Sequence, residues 1–255
     1  MQFENKTVLI TGAAGGIGIA AAKKFAAEGA NIALVDLKLD ALEKAAKEIP
    51  GEPLLIAANV SDEAEVENYV AKTVEKFGTI DVFVNNAGIN GHMAPITEQS
   101  LENYQQVMGV NVYGVFLGLK HVLKVMQKQK SGAVVNTASF GGLRGSPGMS
   151  AYIASKHAVI GINKTVALEV AGDGIRVNAI APSGVDTQMM RAIETNVAKG
   201  HEAEARKQFE ATVPLNRYAE ADEIADLIVF LGSDKSSFIT GAYYRIDGGS
   251  GATSV

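Results

Sequence analysis

Apolar residues along the chain gather into short unbroken runs: TVLI from position 7, IALV from 32, LLIA from 54, DVFV from 81, AVVN from 133, IRVNAI from 175 and AYYRI from 242. They do not alternate with polar positions, which is the pattern of strands covered on both faces. Between the runs the apolar spacing becomes helical. In SDEAEVENYVAKTVEKFG, Val66, Tyr69, Val70, Val74 and Phe77 form one stripe, Ser61 or Asp62 is placed to cap its start, and Gly78 to end it. DALEKAAKEI follows the same logic, with Asp40 and Glu43 spaced as a capping box. ENYQQVMGVNVYGVFLGLKHVLKVM reads as one long helix, and the polar stretch at 188–214 as further helix. Strand and helix alternate to the end. The pattern predicts an α/β fold of one domain, residues 1–255, in which a doubly wound parallel sheet of seven strands carries helices on both faces.

Composition narrows the class of partner. With 255 residues, 47% of them hydrophobic and 20% charged, the chain is large enough to bury a sizeable core and too apolar for disorder. The net charge of −5 is spread over both signs without a basic stripe, so nucleic acid is not an expected partner. The longest apolar runs are too short to span a bilayer, and the start of the chain lacks the pattern of a leader, so a cytoplasmic protein away from the membrane is expected. There is no cysteine, and His92, His121, His157 and His201 are too scattered for a zinc motif, so no metal is expected.

The first strand leads into TGAAGGIG, which opens the next helix. A glycine-rich turn alone is a weak signal, but this one follows a strand and precedes a second strand ending in Asp36. Gly12, Gly16 and Gly18 would let the backbone approach a pyrophosphate at the helix N-terminus. Asp36, 18 residues beyond Gly18, is spaced to accept from an adenine ribose, although it could instead cap the next helix. Its charge would repel a 2′-phosphate, and Gly15 and Leu37 offer no cation, so NAD(H) is expected over NADP(H).

Tyr152 and Lys156 stand four residues apart in AYIASKHAVIG, on one face of a helix. A packed ring and a snorkelling lysine would give the same spacing. The wider set decides between them. With TGAAGGIG, NNAG at 85–88, Asn111, and Ser139 thirteen residues before Tyr152, the chain resembles the short-chain dehydrogenase/reductase family over essentially its full length. The resemblance implies a Rossmann fold, an NAD cofactor and a homotetramer, with the terminal RIDGGSGATSV at subunit contacts. It also implies that Gly12, Gly16, Ile17 and Gly18 line the pyrophosphate, Asp36 with Leu37 the adenine ribose, and Asn59 and Val60 the adenine. Asn86, Ala87 and Gly88 would line the far side of the cofactor, Lys156 would hold the nicotinamide ribose, and Pro182, Val185 and Thr187 would form the nicotinamide-side loop. Ser139 would orient a carbonyl, Tyr152 act as acid and base, and Asn111 hold a water in a relay to Lys156. Two positions depart from the family pattern: Asn59 replaces Asp, where its carbonyl is expected to accept from the adenine amine, and Ser183 replaces Gly.

Free tyrosine titrates near 10, so acid–base work near neutrality asks for a shift of about three units, roughly 4 kcal/mol. An ammonium about 5 Å away at an effective dielectric of about 20 supplies roughly 3 kcal/mol. Lys156 is therefore expected to lower Tyr152. The resemblance further implies hydride transfer between a ketone, cyclic and vicinal diketones among the candidates, and a secondary alcohol, with the small molecule as partner. Substrate contacts are expected from 90–96, 142–149 and the 188–214 helices acting as a lid, with Met189 and Met190 near the cofactor. Three alternatives remain at this level. They are a 3-oxoacyl-carrier-protein reductase, a family type that usually takes NADPH and is disfavoured by Asp36; a non-catalytic NAD-binding sensor or scaffold; and a serine hydrolase, against which Thr137 replaces the first glycine of a nucleophile elbow.

Overall fold

The computed structural model describes residues 1–252; the last three residues of the RIDGGSGATSV stretch, and of the 1–255 domain, lie outside the described residues. Seven strands form one sheet: β1 (Thr7–Thr11), β2 (Asn31–Asp36), β3 (Leu54–Ala57), β4 (Val82–Asn85), β5 (Gly132–Thr137), β6 (Ile175–Pro182) and β7 (Tyr243–Ile246). All are parallel, in the order β3-β2-β1-β4-β5-β6-β7. The helices are α1 (Gly16–Ala27), α2 (Leu39–Ala46), α3 (Glu63–Phe77), α4 (Leu101–Met108), α5 (Gly114–Gln129), α6 (Ser150–Val170), α7 (Gln188–Val197), α8 (Glu202–Ala211) and α9 (Ala221–Gly232). Among the described residues, no helix is long and apolar enough to cross a membrane.

The period-two alternation of side chains divides the core into two layers. In β1, Leu9 joins Tyr69, Phe83 and Val159 on the face covered by α3, α5 and α6. Its neighbours Val8 and Ile10 join Phe25, Leu42 and Ile228 on the face covered by α1, α2 and α9. Each fully buried Leu, Ile or Phe contributes about 1.5–3 kcal/mol, so both faces are held chiefly by apolar burial.

Three local expectations are corrected. The central strands are buried on both faces, but β3 and β7 are not: Leu54 and Leu55 are half-covered and Tyr243 is exposed, because they form the sheet edges. The Asp40–Glu43 capping box is not formed. The chain turns into α2 directly after β2, with Lys38 at the cap, and Asp40 falls inside the first turn, where its charge complements the helix dipole. The long helix read from 101 onward is broken by a π-helical turn, Gly109–Tyr113. Elsewhere the signals hold, with Asp62 accepting from the Glu65 amide at the start of α3 and Gly78 closing it in the left-handed region.

From β1 the chain winds outward to β2 and β3, then returns to place β4 on the other side of β1. The carboxyl ends of β1 and β4 therefore diverge, leaving a crevice between their loops.

Candidate active site

A cleft of about 800 Å³ occupies that crevice. One arm ends at Asp36, Leu37, Asn59 and Val60; the other runs past Ser139, Tyr152 and Lys156 to α7 and α8. The β1–α1 loop is the floor between them. Gly12 has φ +62° and a Cβ there would lie 2.8 Å from the Ala87 Cα, so only glycine fits against the loop after β4. Helix α1 starts at Gly16 with Gly15 as its cap, no side-chain cap and no acidic residue in the first turn. Its orphan amides and positive dipole end are thus left to an anionic ligand. Gly16, Ile17, Asn86, Ala87 and Gly88 also line the cleft, as do Pro182, Val185 and Thr187.

Two predicted residues do not line it. Gly18 lies behind the loop, where a Cβ would sit 2.5 Å from the Gly12 carbonyl oxygen; it lets α1 pack against the loop instead of facing a ligand. Asn111 is fully buried in the π-helical turn. Its Oδ1 accepts from the Ile89 amide (2.8 Å), and its Nδ2 donates to the Ile89 carbonyl (2.9 Å) and Ser155 Oγ (3.0 Å). Both amide hydrogens are occupied, so the side chain fastens the loop after β4 to α6 and has no donor left for a water.

At the far end of the cofactor arm, Asp36 accepts from the Ala14 amide (3.0 Å) and the Leu37 amide (2.8 Å), which fixes the carboxylate beside the β1–α1 loop. Asn59 differs from expectation. Its Oδ1 already accepts from Ser61 N (3.0 Å) and Ser61 Oγ (2.7 Å), which occupies the carbonyl expected to meet an adenine amine and leaves the Nδ2 donors.

At the chemical end, α6 carries Tyr152 and, one turn on, Lys156. Lys156 is buried, donates from Nζ to the Thr137 carbonyl (2.8 Å), and stands over the Tyr152 ring, 5.7 Å from its centre. Ser139 ends the turn after β5 and accepts from the Gly141 amide through Oγ (3.0 Å). A Cβ on Gly141 would lie 3.4 Å from both Ser139 Oγ and Tyr152 Cε1, so the two side chains converge on one point. Burial pushes the Tyr152 hydroxyl up, opposed by the Ser139 hydroxyl beside it, and pushes the Lys156 ammonium down to about 8. The expected lowering of Tyr152 by Lys156 is therefore absent from the protein alone. The Lys156 ammonium is held over the ring, turned to the Thr137 carbonyl, so desolvation sets the direction for Tyr152. His157 makes a structural contact between Nδ1 and the Ile153 carbonyl (2.9 Å).

The end of the cleft beyond Tyr152 is walled by Arg144, Ser146 and Met149 of 142–149 and by α7 and α8, with Met189 and Met190 on the cleft. The segment 90–96 stands behind the wall; its Ala94 amide donates to the Gly148 carbonyl (3.0 Å). Ile193, Phe209 and Tyr218 also line the cleft and were not singled out from the sequence. For Ile193 and Phe209 the signal was apolar spacing in a polar helical stretch; Tyr218 lies in the loop before α9.

A doubly wound sheet with an anion-ready helix start, a carboxylate at the second strand's end and a Ser–Tyr–Lys group across the cleft defines a dinucleotide-linked oxidoreductase site. The family described as enoyl-(acyl carrier protein) reductase matches residues 12–251. The chain is 43% identical to levodione reductase of Leifsonia aquatica, over 98% of this chain and 96% of that one. It is 40% identical to meso-2,3-butanediol dehydrogenase of Serratia marcescens, over 99% and 97%. It is 42% identical to a 3-oxoacyl-(acyl-carrier-protein) reductase of Thermotoga maritima, over 98% and 99%. The crystal structure of levodione reductase superposes with a TM-score of 0.97, covering 99% of this chain and 100% of that one. NAD+-bound xylitol dehydrogenase superposes with 0.91 at 36% identity, covering 96% and 99%. The chain belongs to the short-chain dehydrogenase/reductase family and is an enzyme of the oxidoreductase class.

Proposed function

We propose that the protein is an NAD(H)-dependent oxidoreductase that interconverts a ketone and a secondary alcohol, with cyclic or vicinal diketones as the carbonyl substrates. The observation that carries this is the convergence of Ser139 Oγ and the Tyr152 ring on one point of a cleft whose other arm ends at Asp36. The levodione and butanediol relatives favour the substrate class. The residues fit NAD(H): the uncapped start of α1 suits the pyrophosphate, and the Asp36 carboxylate suits a ribose and opposes a 2′-phosphate.

When bound, the cofactor supplies or accepts the hydride. Everything else falls to the chain. Ser139 Oγ donates to the carbonyl oxygen and orients it, a role for a positioned hydroxyl. Tyr152 Oη gives its proton to the same oxygen in reduction and takes it back in oxidation. Its upward shift keeps the hydroxyl protonated and ready to donate, with the Ser139 hydroxyl opposing the rise. Asp36, Leu37, Asn59 and Val60 hold the adenosine end, the β1–α1 loop the pyrophosphate, and Pro182, Val185 and Thr187 the nicotinamide side. The segment 188–214 serves as a lid within the single domain. We place the enzyme in the cytoplasm, to be tested by fractionation, and as a homotetramer.

A second reading, reduction of a 3-oxoacyl group on a carrier protein, is favoured by the 42% identity to the Thermotoga maritima reductase. One experiment separates them. NADH or NADPH oxidation is followed with diketones, simple ketones and a 3-oxoacyl thioester. NADH with the diketones should give the highest kcat/KM, and Tyr152→Phe should lower kcat by about 10²–10⁴-fold. Equal use of NADPH, or a Tyr152→Phe variant as active as its parent, contradicts the proposal.

A further inference from the structure

Helices α7 and α8 are fastened to the loop after β6 by a closed ring of five side chains. Asp186 Oδ1 pairs with Arg191 of α7. Arg191 Nη1 donates to both oxygens of the buried Glu194, at 3.0 Å each. Tyr218 Oη donates to Glu194 Oε1 (3.0 Å). The Arg206 guanidinium of α8 stands over the Tyr218 ring, 5.2 Å from its centre. Arg206 Nη2 then donates to Asp186 Oδ2 (2.6 Å) and closes the ring, while its Nε is held by Glu210 (2.7 Å).

The ring rests on a rigid base. The Asp186 amide donates to the Ala219 carbonyl (2.9 Å), the Ala219 amide to the Gly184 carbonyl (3.0 Å), and the Tyr218 ring lies against Gly184, where a Cβ would sit 2.7 Å from Cδ1. Backbone pairing thus joins 184–186 to 218–219 independently of the helices. What ties the helices to this base is charge, and one carboxylate is the branch point. Each Asp186 oxygen serves a different helix, and an amide has only one oxygen to offer. Between the helices and the cleft stand Ile193 and Phe209, the apolar wall of the substrate end.

We infer that Asp186 is a positioning residue for the carbonyl substrate: by holding α7 and α8 on the base, it sets the placement of Ile193 and Phe209 and hence substrate affinity. The inference rests on the oxidoreductase reading above. Asp186 itself does not line the cleft, and the backbone pairing of 184–186 to 218–219 holds its neighbours Val185 and Thr187 independently of the ring, so its effect falls on KM for the ketone.

The test compares the parent with Asp186→Asn, Arg206→Met and the double variant, measuring ketone KM and kcat, the pH profile of kcat, and NADH affinity by fluorescence titration. Ketone KM should rise about tenfold in each single variant, the scale of a charge-assisted hydrogen bond discounted for partial exposure. The pH profile and the NADH dissociation constant should stay within about twofold, and the double variant should be no worse than Asp186→Asn, because both changes break one ring. The parent's KM should climb with salt and that of Asp186→Asn should not. Unchanged KM, additive effects, or NADH affinity falling in step with ketone affinity overturns the inference. If Asp186→Asn unfolds, Arg206→Met alone decides, since it removes the same link from the helix side. Reduction by the parent with KM indifferent to both changes defeats only the positioning role; NADH binding with no ketone reduced by the parent defeats the oxidoreductase reading as well.

Discussion

Lys156 illustrates how much a single residue's chemistry depends on where the fold takes it. Its spacing from Tyr152 was legible in the sequence, because four residues on a helix leave few alternatives. The direction of the charge effects was not legible, since it depends on burial and on the Thr137 carbonyl that draws Nζ over the ring. A measurable consequence follows for the cofactor-free protein. The folded lysine releases its proton near 8, whereas the unfolded chain keeps it to about the ordinary 10.5. Between those values the unfolded state binds more protons, so stability from this group rises with pH across the window. Below 8 the buried charge exerts its full penalty, about 3 kcal/mol. Lys156→Met is accordingly expected to raise the urea midpoint over the parent most at pH 7, and by progressively less from pH 8 to 10. An advantage independent of pH would contradict a charged, buried lysine. The raised Tyr152 acts in the opposite sense, but only above its ordinary value of 10.

At the scale of elements, the long helix after residue 100 shows what periodicity misses. Its apolar pattern continues through Gly109–Tyr113, so no sequence signal marks the π-helical turn there. The turn is fixed by tertiary bonds from Asn111 to Ile89, a partner 22 residues away that no local window contains. Asn111→Ala removes the side-chain partners of the part-buried amide and carbonyl of Ile89, at about 1–2 kcal/mol for each. A loss of about 2–4 kcal/mol in urea unfolding is expected, together with lower kcat as the loop beside Gly88 and Lys156 loosens. The helix caps divide in the same way. Asp62 and Gly78 were readable because α3 begins and ends in loops, whereas Asp40 was displaced by the short connection from β2. The glycine loop, both strands beside it and the helical nature of 188–214 were also readable, being local patterns. The ring through Asp186 was not, because it joins residues spread from 186 to 218.

For the whole molecule, a parallel, doubly wound sheet was accessible from the alternation of strand and helix, but the strand order and the condition of the edges were not. Tyr113 beside α5, Phe116 on α5 and Leu168 on α6 stand 59%, 50% and 84% exposed, and Phe238 is fully exposed. Apolar groups of this size in solvent support contact between copies of the chain. A tetramer mass by light scattering is expected for the parent, and smaller species for Phe116→Glu and for Leu168→Glu, since a desolvated carboxylate on an apolar contact is unfavourable. A monomeric parent would remove the homotetramer from the proposal.

The crossing of the chain from β3 back to β4 has one further result. The walls of the cleft are drawn from Gly12 through Ser250, and β1 acquires its second neighbour only when Val8 meets Val82. A ribosome must therefore release nearly the entire polypeptide before the pocket exists. During synthesis the glycine loop and the Asp36 end emerge early, whereas Pro182, Val185 and Thr187 follow about 170 residues after Gly12, so the two arms of the pocket are completed at different times.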